Sequence, residues 1–102
     1  MKKVIEGKVY NTETADLIAD AGYSNGGDFQ YWYEELYITQ KGQFFLYGEG
    51  GPMSRYGRSV GNNTTSGSSN IQLYSKEEAF QWCEENDIEA DVIAEYFEIE
   101  EG

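Results

Sequence analysis

A chain of 102 residues and 11.6 kDa with 19 acids, 7 bases and no histidine carries a formal net charge of −12. That length fits one domain, residues 1–102, and the lack of imidazole removes serine–histidine and cysteine–histidine catalysis together with most zinc chemistry. Phosphates and anionic membranes repel so acidic a surface, so neither nucleic acid nor a membrane is an expected direct partner.

Leu, Ile, Val and Phe make up about a fifth of the chain, a share close to that of disordered sequences. Nine Tyr, five Phe and two Trp offset this, because each aromatic ring buries a large area and a small aromatic core becomes feasible. Cys83 is the single cysteine, which leaves no disulfide framework and points to a reducing compartment. The basic start Met1-Lys2-Lys3 is interrupted by Glu6 and Gly7 before an apolar signal segment develops. The longest apolar run, Phe44 to Tyr47, falls far below the roughly 20 residues a bilayer requires. A cytoplasmic location is the expectation.

In chain order, Val4, Ile5, Val9 and Tyr10 around the Glu6-Gly7-Lys8 break read as one or two short strands. Asn11 or Thr12 then reads as a cap, and Ala15, Leu17, Ile18 and Ala21 recur near a 3.6-residue period, which predicts an N-terminal helix ending at Gly22. Tyr23 to Asp28 is turn chemistry. Phe29–Thr39 and Phe44–Tyr47 are rich in aromatic and β-branched residues and predict an antiparallel hairpin. Its alternation is imperfect, which predicts a bulge near Glu34-Glu35. Residues 48–70 hold the single proline and a run of Gly, Ser, Asn and Thr, and read as a long loop, more mobile in its second half, before a short strand at Ile71–Tyr74. Ser75-Lys76-Glu77-Glu78 has capping-box spacing and opens a helix with Ala79, Trp82 and Cys83 as its stripe. Ala90, Ile93, Ala94 and Phe97 predict a second helix to about Glu98, with 99–102 fraying. The expected class is α+β: a three- to four-stranded antiparallel aromatic sheet, one N-terminal helix and one or two acidic C-terminal helices.

Charge is unevenly placed. Residues 1–75 hold eight acids and six bases, whereas residues 76–102 hold eleven acids and one lysine. On helices at about 1.5 Å per residue this approaches the charge density of a DNA strand, about one per 3.4 Å. Glu77, Glu78, Glu84 and Glu85 repeat at seven, and Asp87, Asp91, Glu95 and Glu98 would share one face of a continuous helix. They read either as a docking field for a basic partner or as the solvated faces of two surface helices. Arg55 and Arg58 in the glycine-rich stretch would suit a phosphate or carboxylate, with Glu49 nearby, although no P-loop ending is present. Tyr31, Tyr33 and Tyr37 belong to an aromatic ladder whose open-face members would anchor a protein interface. Cys83 beside Trp82 reads as a small buried hydrophobe. No catalytic set, cofactor motif or metal-ligand spacing is evident, the calcium-hand loop included.

Tyr23 to Phe29, Tyr31 to Tyr37, Lys41 to Ser54 and Ser75 to Ala79 give the first 85 or so residues a resemblance to small acidic proteins of phages and mobile elements of Gram-positive bacteria. That group includes anti-CRISPR and anti-restriction inhibitors, some of which imitate DNA. The resemblance implies an inhibitor of a host defence nuclease, with a Cas9-type effector as the foremost target, whose basic DNA-binding groove would take the acidic helices. The alternative is a non-catalytic adaptor that binds through exposed tyrosines.

Overall fold

The computed structural model describes residues 1–23, 29–61 and 64–102. The expected helix-led α+β domain is overturned: the chain is mostly sheet, and its two short helices follow the strands. Lys2–Ile5 (β1) and Lys8–Asn11 (β2) form a hairpin. Glu6 and Gly7 both take positive φ, 52° and 80°, as the two central residues of a tight hairpin turn require. Asp16–Tyr23 (β3), Trp32–Ile38 (β4), Phe44–Gly50 (β5) and Ser68–Tyr74 (β8) build an antiparallel sheet in the order β3-β4-β5-β8. Arg58–Gly61 (β6) and Thr64–Ser66 (β7) pair separately. Lys76–Glu85 (α1) and Ala90–Tyr96 (α2) complete the chain.

The segment expected as an N-terminal helix is edge strand β3. Its register slips between Leu17 and Ala19, a bulge that lets Ile18, Ala19 and Ala21 all pack into the helix-side cluster. A bulged strand thereby imitates helical spacing, and pairing with β4 outweighs the weak helix preference of a short segment. The bulge expected at Glu34-Glu35 is absent, since β4 pairs with β5 without interruption from Trp32 to Ile38. Its alternation looked irregular because both faces of the sheet are covered.

Ile18, Leu36, Phe44 and Leu46 meet Ala79, Trp82, Cys83, Ile93 and Phe97 on one face, with the Phe44 and Phe97 rings stacked 5.3 Å apart. On the other face the β1–β2 hairpin brings Tyr10 onto Tyr37, Phe45 and Ile71. Residues 48–70 are not a long loop. Gly48–Gly50 finish β5, β6 and β7 form a hairpin arm, and β8 begins at Ser68, while Asn62 and Asn63 lie outside the described residues. The turn expected at Tyr23–Asp28 lies outside them too, except for Tyr23, which ends β3. Among the described residues no helix is long and apolar enough to cross a membrane.

Candidate functional site

The capping box forms as the spacing requires: Ser75 Oγ accepts from Glu78 N at 3.1 Å, and Glu78 Oε1 accepts from Ser75 N at 2.9 Å. Glu78 is thus engaged at the helix start, beside exposed Glu77. Glu84 and Glu85 occupy the last turn, which holds no basic side chain, so both face the negative end of the helix dipole. Asp87 has φ 52° and breaks the chain between α1 and α2. The expected row of Asp87, Asp91, Glu95 and Glu98 therefore does not lie on one helix. Asp91 and Glu95 stand one turn apart on α2, Asp87 precedes it in the turn, and Glu98 follows its end. The result is a broken acidic surface in place of a straight rod. All eight side chains are exposed, and among the described residues none of them makes an ion pair.

The three tyrosines named from sequence separate. Tyr31 is exposed, and Phe29 and Met53 beside it are more so. Backbone bonds from Gly51 N to Tyr31 O and from Met53 N to Phe29 O, both 2.9 Å, hold this apolar patch together. Tyr33 and Tyr37 are used internally: both hydroxyls donate to Glu35, at 3.1 and 3.0 Å, and Tyr33 also reaches Asp20 at 3.3 Å. Tyr47 donates to Glu49 at 3.0 Å, which occupies the lone carboxylate singled out in the glycine-rich stretch. Burial and then the bonded carboxylates push the Tyr37 and Tyr47 phenols up to about 12 and raise Tyr33 as well. Cys83 is fully buried, and burial lifts its thiol to about 11.

The best-built polar site was not anticipated. Glu34 is 2 % exposed on the helix-side face. Trp82 Nε1 donates to its Oε1 at 2.9 Å, the Tyr56 hydroxyl donates to its Oε2, and Arg55 closes an ion pair on the same oxygen. A buried carboxylate needs such partners, because its desolvation is costly. The glycines of 48–57 serve this closure. A Cβ at Gly48 would overlap the Tyr56 phenol, and one at Gly57 would overlap the Pro52 carbonyl. Arg55 is thereby engaged, while Arg58 on β6 is exposed and makes no ion pair among the described residues. The signal for Glu34 was parity: it shares a face with Leu36 and Ile38, as the strand period of two dictates.

Among the described residues no group of His, Cys, Asp or Glu side chains is arranged to hold a metal ion. Comparison with protein-family models, curated proteins and solved structures gives no match.

Proposed function

We infer that this chain is a non-catalytic inhibitor that docks its acidic C-terminal surface into a basic nucleic-acid-binding groove of another protein, occupying positions that phosphates otherwise take. The observation that carries the reading is the set of unpaired, exposed carboxylates on α1, α2 and the turn between them, contributed by a segment with one lysine. Side chains left without counter-ions keep their field available to a partner. The resemblance to phage and mobile-element proteins supports a defence nuclease as the partner, with a Cas9-type effector first among candidates and the host cytoplasm as the place of action. The broken path of the acids fits a cleft whose cations lie on several sides better than a straight duplex track.

The test is a titration of a guide-loaded Cas9-type effector with this protein while target-DNA binding is followed. Inhibition should saturate near one equivalent, weaken with salt and reverse with excess duplex. Full inhibition by a variant with Glu84, Glu85, Asp91 and Glu95 converted to amides would overturn the mechanism.

The Phe29, Tyr31 and Met53 patch favours a second reading, an adaptor surface, since adjacent exposed apolar side chains mark contact sites. Under that reading Phe29→Ser with Met53→Ser abolishes partner binding, while the amide variant retains it.

A further inference from the structure

A second charged feature opposes the character of the whole chain. Between the Arg55–Arg58 segment and β8 runs a groove of about 480 Å³ that includes Arg55, Arg58, Asn70, Gln72 and Tyr74 in its lining and no carboxylate. Nineteen acids against seven bases make such a lining unusual. Lys3 reaches its rim from the β1–β2 hairpin, where its Nζ donates to Asn70 Oδ1 at 2.7 Å. Two of the seven cations therefore line the groove, and a third meets it through Asn70. Glu34, the acid paired with Arg55, is sealed under Tyr56, Arg55 and Trp82, and Glu49, across from Ser69 on β8, accepts from the Tyr47 hydroxyl. Arg55 spends one nitrogen on Glu34, leaving other N–H donors of its guanidinium, and Arg58 is free of acid partners among the described residues. With its Oδ1 held by Lys3, Asn70 presents its Nδ2 hydrogens as donors, and the exposed Gln72 amide lies two residues along β8 on the same face.

We propose that this groove binds a phosphate group, held by Arg58 and Lys3 as counter-ions and by the Asn70 and Gln72 amides as neutral donors. Phosphate suits the lining better than carboxylate. It carries more charge and more acceptor oxygens, directed to several sides, whereas a carboxylate offers two oxygens in one plane. The arginine fork matches phosphate geometry. The volume admits the free ion or a nucleoside monophosphate, with Tyr74 on the wall available to a base. The proposal stands on β6, β8 and the hairpin, and is independent of the acidic helices.

The test is an NMR titration of the isotope-labelled full chain with inorganic phosphate, with AMP and with acetate, all at constant ionic strength near neutral pH. Phosphate should move the Arg58 Nε–H and the Asn70 and Gln72 side-chain amide signals along one saturable curve, and acetate should not. Arg58→Gln should weaken phosphate binding about tenfold, and Asn70→Asp, which places a carboxylate in the groove, should abolish it. Both positions are exposed, so the backbone spectrum checks that the fold is retained. Lys41→Gln, in the turn before β5 and outside the lining of the groove, should leave binding unchanged. AMP binding tighter than the free ion assigns a nucleotide ligand, and equal binding assigns the ion alone; both support the site. Shifts that are linear and equal for acetate and phosphate, or saturable binding that survives Arg58→Gln, would overturn it.

Discussion

Glu34 and the C-terminal carboxylates place the same side-chain chemistry under opposite conditions. Glu34 is buried, and a guanidinium, a phenol and an indole converge on it. The acids of α1 and α2 are exposed and lack ion pairs among the described residues. A buried charge must satisfy itself within the fold, whereas a solvated one can leave its field to another molecule. The contrast separates an acid that holds the structure together from acids that the structure only carries. Mutation should divide them in the same way.

The largest effect is expected at the buried site. Glu34→Ala leaves the buried Trp82 N–H and the half-buried Tyr56 hydroxyl without their acceptor, at about 1–3 kcal/mol for each polar group so stranded, while the mostly exposed Arg55 returns to water. For a domain this small the melting temperature should fall by more than about 8 °C. Glu34→Gln keeps an acceptor for Trp82 and should lose clearly less. Gly48→Ala tests the same closure from beneath, because the added methyl occupies the place of the Tyr56 phenol. Overpacking of this kind costs about 1–3 kcal/mol, and tyrosine fluorescence should report the displaced ring. Calorimetry of the three variants that left Glu34→Ala the mildest would end the claim that this acid organises the 51–57 segment.

The sequence carried some of this and concealed the rest for definite reasons. The capping box at Ser75 was legible because its information is local: a hydroxyl and a carboxylate three residues apart. The β4–β5 hairpin was legible from residue types that suit a pleated surface. β3 was not, since its bulge at Ile18 brings neighbouring apolar residues to one face, a spacing that also fits a helix. Residues 48–70 looked like loop because their glycines and serines lack core-forming side chains. The order of those that are described comes from backbone pairing and from Tyr56 lying against Gly48, which are tertiary facts. Of the candidate site residues, the acids were correctly read as exposed, but their supposed row required a continuous helix that Asp87 interrupts. Glu34 was hidden in an aromatic strand whose two faces are both covered.

A smaller effect belongs to the hydroxyl–carboxylate pairs on the other face of the sheet. Their phenols are raised in the folded state, Tyr37 and Tyr47 from 10.0 to about 12. A folded state that holds these protons more tightly than the unfolded chain is favoured below the unfolded value and loses that advantage as pH rises through the folded one. Stability should hold up to about pH 10 and decline between 10 and 12. Tyr33→Phe with Tyr47→Phe should flatten the decline. Thermal melts across this range would contradict the assignment if the double variant lost stability as steeply as the parent.

The smallest effect on folding is expected where the effect on binding is greatest. Converting Glu84, Glu85, Asp91 and Glu95 to amides removes two carboxylates from the negative end of α1 and one repulsive pair, Asp91 with Glu95, from α2. Relief at Glu84, Glu85 and the Asp91–Glu95 pair amounts to tenths of a kilocalorie per mole, and loss of the Asp91 charge from the first turn of α2 offsets it by a similar amount, so the variant should melt close to the temperature of the parent. Glu77 and Glu78 are left in place because they favour the start of α1, and Glu78 completes the capping box. If the surface serves a basic partner, the same variant should bind that partner about tenfold or more weakly, with the loss largest at low salt. Binding then falls while stability holds in one molecule, which no general damage to the fold can imitate. Unchanged affinity at low ionic strength would reduce these acids to solvated helix faces and leave the Phe29, Tyr31 and Met53 patch as the surface to pursue.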